Sequence, residues 1–398
     1  MYKQLARTLA MAGMIAVPVL GHAETPVTMP EKPATPTIGQ IMGTAGIEIG
    51  GYLDVSYTHL SSSGKFSGGS LNNRVFDIER NSFNLQAVNL SVSKLPTEGF
   101  GGMVDLIAGK DADTIAAYGT IDSTKGPANG ANHQFDVTQA YLHYATGPWM
   151  VIAGKYVTLS GAEVIKSPSN TNFSRSILFG YAIPFTHSGV RGYYKLNDAV
   201  SFIAGVNNGW DNLKDTNSQK TLELGASFAP TKNFSLSAQG YSGTEQIANY
   251  PTISSVQGTR NLVDLVATFT ATDQLSFVLN YDYGSQQNAS LAKGGSGTAK
   301  WEGLAGYVNY QFNDQWRMSL RGEYFNDKDG YRTVVESGKS AGQKWKEATL
   351  TLAYLPNKNV ELRAEIRGDK SDQKTFLQTN GSLKDNQNSF GLEAIYKF

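Results

Sequence analysis

Cysteine is missing from all 398 residues. That excludes a disulfide framework and thiolate-held metal, and it fits passage through an oxidising periplasm. Beyond the N-terminus no apolar run reaches the roughly 20 residues that a spanning helix needs. An excess of one charge is absent too: 34 Lys and Arg face 34 Asp and Glu, so nothing points to a nucleic-acid partner. The five histidines, His22, His59, His133, His143 and His187, are scattered without metal-ligand spacing. Thr186-His187-Ser188 resembles a base beside a nucleophile, but neighbours in a strand point to opposite faces and do not share a proton. The Asp111/Asp113 and Asp327/Asp329 pairs complete no calcium loop, and Gly294 to Gly297 lacks the lysine of a phosphate cradle. The expectation is no enzyme, with no catalytic residues, no metal and no cofactor.

What the chain does contain is alternation, together with 42 Gly, 20 Tyr and 18 Phe. Phe390, Leu392, Ala394, Tyr396 and Phe398 place apolar groups on every second position up to the C-terminus, with Gly391, Glu393 and Lys397 between them. A period of two is that of a strand. In an outer-membrane barrel the last strand bonds the first, and its aromatic end sits in the interface belt. Such an end also resembles the signal read by the barrel-assembly machinery, here through Phe398.

Met1 to Ala23 reads as a cleaved signal peptide: Lys3 and Arg7, an apolar core from Leu9 to Leu20, then Gly21-His22-Ala23. Residues 24–45, with Pro26, Pro30, Pro33 and Pro36, read as a periplasmic lead-in that could also enter the pore. From 46 to 398 the period-two pattern recurs. Ile47, Ile49, Leu53 and Val55 share one face of the first strand, and a phase change within Phe83 to Val92 predicts a bulge near Ala87.

Short turns such as Pro96-Thr-Glu98, Asn197-Asp198 and Asn313-Asp314 alternate with long polar connections near 60–80, 110–133, 159–187, 209–219, 244–259, 285–299, 326–343 and 371–387. In outer-membrane barrels the short turns are periplasmic and the long loops face outward. Counted together the connections join about sixteen strands, with both chain ends in the periplasm. The predicted fold is therefore all-β: a transmembrane antiparallel barrel with a long third extracellular loop. About sixteen strands leave a water-filled lumen unless something plugs it. Trp149, Tyr156, Trp301, Trp316, Tyr354 and Tyr396 are candidates for the aromatic girdles.

The third loop carries the most distinctive sequence: Glu163-Val-Ile-Lys-Ser-Pro-Ser-Asn, Ser174-Arg-Ser and Ile183-Pro-Phe-Thr-His-Ser-Gly-Val. With Pro36-Thr-Ile-Gly-Gln and Gly50-Gly-Tyr-Leu-Asp54, this stretch resembles the β-barrel porin-2, OmpL-like, family of bacterial outer-membrane proteins. The resemblance implies an outer-membrane, porin-like barrel and assigns no ligand or site residue.

Ile177, Leu178, Phe179, Ile183 and Phe185 give the loop apolar surface to pack. By analogy with general porins, 160–187 is expected to narrow the lumen, with Glu163, Lys166 and Arg175 facing it; covering the outer mouth or a neighbouring subunit is the other reading. On the strands whose phase is clear, Arg317, Arg321 and Glu323 turn inward, as do Glu361, Arg363, Glu365, Arg367 and Asp369; Arg191, Arg260, Asp264 and Asp282 follow a weaker pattern. Opposed rows of charge would set ion preference, whereas neighbouring opposite charges would pair and pin the wall. The function expected is passive diffusion of small hydrophilic solutes or ions. The alternative is a surface adhesin or receptor whose lumen is plugged. Expected partners are outer-membrane lipid and lipopolysaccharide, the assembly machinery and small hydrophilic solutes, with no nucleic acid; homotrimer and monomer both stay open.

Overall fold

The structure is a computed structural model that describes residues 42–62, 74–117, 134–249, 252–291, 294–333 and 341–398. The signal peptide at 1–23 and the lead-in up to residue 41 lie outside them.

Alternation of apolar and polar residues makes each strand two-faced, and sixteen such strands close into one antiparallel barrel. The first eight are β1 (Glu48–Leu60), β2 (Ser82–Lys94), β3 (Gly99–Ala108), β4 (Phe135–Thr146), β5 (Trp149–Val157), β6 (Thr186–Lys195), β7 (Val200–Asn207) and β8 (Thr221–Thr231). There follow β9 (Phe234–Asn249), β10 (Thr252–Thr270), β11 (Leu275–Ser290), β12 (Ser296–Gln311), β13 (Trp316–Asp327), β14 (Gln343–Asn357) and β15 (Val360–Ser371). A small hairpin of β16 (Phe376–Leu377) and β17 (Leu383–Lys384) precedes the last barrel strand, β18 (Asn386–Lys397). One short helix, α1 (Lys110–Ile115), stands in the connection after β3.

Strand β18 pairs with β1 in register Leu53 to Tyr396 and Val55 to Ala394, so the C-terminal strand closes the ring. The expected bulge is present one residue away, where Gln86 is skipped between the Asp54–Ala87 and Val55–Leu85 pairs. Leu53, Val55, Leu222, Leu224, Leu352 and Ile366 are exposed on the outer face, as contact with lipid requires.

Two expectations are corrected. The connections drawn at 244–259 and 285–299 are largely strand, because β9 pairs on to β10 and β11 to β12 far past the apolar band. Above the membrane a ladder needs no apolar face, so polar Ser, Gln and Thr continue it unseen by an alternation test. Tyr156 and Trp301 are not girdle residues: each is 1% exposed, inside the wall. Trp316 and Tyr354, with ring centroids 4.7 Å apart, and Trp149 and Tyr194, at 4.4 Å, form aromatic pairs near strand ends.

Candidate functional site

Between β5 and β6 the chain leaves the wall at Thr158 and returns at Phe185, and the Thr158 N–H donates to the Phe185 carbonyl at 2.9 Å. Ile165, Phe173, Ile177, Leu178, Phe179 and Ile183 are all buried. Most of them share one apolar cluster with Trp301, Tyr307, Phe325 and Ile395 of the wall. Standing free in water these side chains would lose the gain of burial, about 1.5–3 kcal/mol for each large one. Two wall glycines make room for the loop. A Cβ at Gly303 on β12 would lie 2.6 Å from Leu178 Cδ1, and one at Gly391 on β18 would lie 2.7 Å from Phe173 Cδ1.

An irregular loop also carries N–H and carbonyl groups that no ladder satisfies, and buried groups of that kind need partners. Wall side chains supply them. Glu323 on β13 accepts from the N–H groups of Ile177 at 2.7 Å and Leu178 at 3.2 Å. Glu365 on β15 accepts from Phe173 at 2.7 Å and Ser174 at 3.0 Å, and Asp264 on β10 accepts from Gly161 at 3.0 Å. The arginines meet the carbonyls: Arg321 donates to Ser174 O at 2.7 Å, Arg363 to Asn170 O at 2.8 Å and Arg367 to Arg175 O at 2.6 Å. Charge-assisted bonds of this kind are about twice as strong as neutral ones. Trp301 Nε1 donates to Ala182 O at 3.1 Å, and Arg332 donates to Tyr181 O.

Across the lumen Lys166 Nζ lies 2.7 Å from Asp105 Oδ2 on β3. Asn89 and Gln139 donate to that carboxylate from β2 and β4. Further round, Arg191 pairs with Glu223 at 2.7 Å and lies 4.1 Å above the Tyr156 ring. Tyr241 OH donates to Glu223 at 3.0 Å, and its ring stacks on His187 at 4.9 Å. Outside the strands, in α1, burial pushes the Asp111 carboxyl up to about 7 against the opposing pull of Arg175.

Of the three loop charges expected to face the lumen, two turn into the loop's own fold. Glu163 binds Arg321 at 2.7 Å and takes the Ser176 N–H at 2.7 Å. Arg175 donates to the carbonyls of Val164, Phe173 and Ile165, and Asn170 Nδ2 shares the first of them at 2.7 Å. Lys166 keeps 22% of its side chain exposed. On the wall Arg321, Glu323, Arg363 and Arg367 are buried in the latch and Arg191 in its pair with Glu223, whereas Arg317 remains partly exposed. Sequence reasoning placed Glu365 inside with the arginines beside it but did not single out Glu393 or Asp105. Glu393 lies on the inward phase of β18, opposite Arg363, and that phase was the available signal. The glycine holes carried no signal, because a missing side chain does not show what fills its place.

The family model described as "Putative beta-barrel porin-2, OmpL-like" matches residues 46–398. No curated protein matches the chain. Solved structures share its fold. The outer membrane channel DcaP of Acinetobacter baumannii is 17% identical, with a TM-score of 0.58 over 88% of this chain and 97% of that one. An anion-selective porin from Comamonas acidovorans is 10% identical, with a TM-score of 0.59 over 88% and 99%. A trimer form of OmpT from Vibrio cholerae is 13% identical, with a TM-score of 0.59 over 88% and 99%. The match over the barrel from 46 to the last residue places the protein in the bacterial outer membrane, and the chain belongs to the β-barrel porin-2, OmpL-like family.

Proposed function

We propose that the protein is a passive diffusion channel for small hydrophilic solutes or ions, and that residues 158–185 narrow its lumen. The observation that carries this reading is the ring of charge-assisted bonds between the loop backbone and β10, β13 and β15, joined across the lumen to β3 by Lys166 and Asp105. A barrel of sixteen strands without such a strap would hold a wide aqueous channel. No cofactor, energy source or catalytic step is needed. In this reading the apolar outer face meets lipid and lipopolysaccharide, Phe398 is shown to the assembly machinery, and the barrel stands alone or as a homotrimer.

The second reading, a surface adhesin or receptor with a plugged lumen, has one observation of its own. Loop residues Phe76, Phe179, Trp210 and Phe376 join wall residues Trp301 and Trp345 in one buried apolar cluster. Single-channel current decides between them. Refolded protein in a planar bilayer is expected to give steady steps that grow when 165–182 is deleted. Steps of unchanged size would remove the loop from the path. Silence from both proteins, with a heat-modifiable gel shift showing a folded barrel, would reject the channel and promote the adhesin. Replacing His187 is expected to leave any esterase assay at background.

A further inference from the structure

We infer that the channel selects small anions, through Lys166, Arg317 and Lys397; the inference rests on the channel reading above. Each of these cations has a carboxylate partner, and in each pair only the cation reaches the open lumen. Lys166 is 22% exposed and its partner Asp105 0%. Arg317 is 18% exposed and Lys397 33%, whereas Glu361, which serves both at 2.5 and 3.7 Å, is 2%. Each pair is therefore a dipole with its positive end toward the solute.

The other described carboxylates of the inner wall do not offset this. Asp54, Glu223, Asp264, Asp282, Glu323 and Glu365 are all buried. Glu48, the first residue of β1, is exposed at the periplasmic rim, where Lys94 is exposed as well. A passing ion meets the nearest charge at contact range, and the buried partner acts from behind it through a longer, screened distance. Lys166 acts at the loop and the other two nearer the periplasmic end, so a solute crossing the barrel passes positive ends at two heights. The substrate class is small anions: chloride and short carboxylates.

The test is the reversal potential of the refolded protein in a planar bilayer under a KCl gradient, with the gel shift confirming each folded barrel. The unaltered protein is expected to prefer chloride over potassium. Lys166→Gln, Arg317→Gln and Lys397→Gln should each lower the permeability ratio roughly twofold, the size of a screened contact charge. Asp105→Asn should raise it, which a merely structural role for that residue would not do. Arg317→Gln and Lys397→Gln keep the test alive if the loop variants fail to fold. Steps with no anion preference, or a preference unchanged in the triple glutamine variant, would overturn the inference and leave the channel standing. Silence from a folded barrel would overturn both.

Discussion

The two sides of the lumen wall treat the third loop differently. Toward β10–β18, backbone N–H groups and carbonyls of the loop meet Asp264, Arg321, Glu323, Arg363, Glu365 and Arg367, and two side chains enter glycine holes. Toward β3–β9 the loop is tied by Lys166 to Asp105, by the Thr158 hydroxyl to Tyr241 OH at 3.3 Å and, at its end, by the Phe185 N–H to Asp211 at 2.9 Å. Buried atoms without a hydrogen-bond partner among the described residues occur on both sides: Tyr156 OH, His187 Nε2 and Glu223 Oε2 on one, Asp264 Oδ1, both Asp282 oxygens, Tyr307 OH and Trp345 Nε1 on the other. What distinguishes the latch is its arginines, since every guanidinium nitrogen of Arg321 and Arg363 is bonded. A loop held this way is fixed along one wall and bridged to the other, so each side can be broken separately.

The largest effect is expected at Arg321. Its guanidinium joins Glu163, Ser174 O, Glu347 and Thr349 with no exposure, and removing one member of a buried pair costs about 3–5 kcal/mol. Arg321→Ala should lower the unfolding free energy read from a urea titration of the heat-modifiable band by that amount and open 158–185 to protease. Arg191→Ala on the other wall strands Glu223 at a similar cost, yet it should leave the loop protected. Equal protease sensitivity in the two variants would abolish the distinction between the walls.

The next effect is one of pH. Asp111, in α1, has an oxygen without a partner, and its carboxyl is pushed up to about 7 by burial. A group whose folded value is raised stabilises the fold while protonated. Stability is therefore full below the ordinary carboxylate value near 4, falls as the pH rises toward about 7 and is level above. The loss across that window is on the order of 4 kcal/mol. Asp111→Asn should flatten the urea midpoint between those limits, and an unaltered slope would assign the pH dependence to other groups.

Much of this was legible in the residues. Alternation gave the strand count, the closing strand and the inward phase of Arg317, Arg321, Arg363 and Arg367, because a two-faced strand must repeat every second residue. The same phase, carried three residues back from the outward Leu304, puts Trp301 inside, although its bulk suggested a girdle. Residue type misled where residue position did not. Pattern does not disclose which partner a buried charge finds: Glu163 and Arg175 looked like lumen charges, but the loop's own backbone and Arg321 claim them through contacts 158 residues apart or less. Nor did polarity reveal β9 to β12 above the membrane, since both faces are wet there.

The smallest of the expected effects isolates shape from charge. Gly391→Ala places a methyl 2.7 and 2.9 Å from ring carbons of Phe173, and Gly303→Ala places one 2.6 Å from Leu178. Overpacking of this kind costs about 1–3 kcal/mol, and here the loop is the part free to give. Both variants should lower the urea midpoint modestly and make single-channel steps noisier while every ion pair of the latch keeps its chemistry. Gly240→Ala on β9 adds a methyl with no atom nearer than 3.8 Å, so it should stay within about 0.5 kcal/mol of the parent and leave the current quiet. Noise in all three would mean that the barrel, not the loop, responds to added volume; noise confined to the first two would make fit against β12 and β18 part of what holds the loop in place.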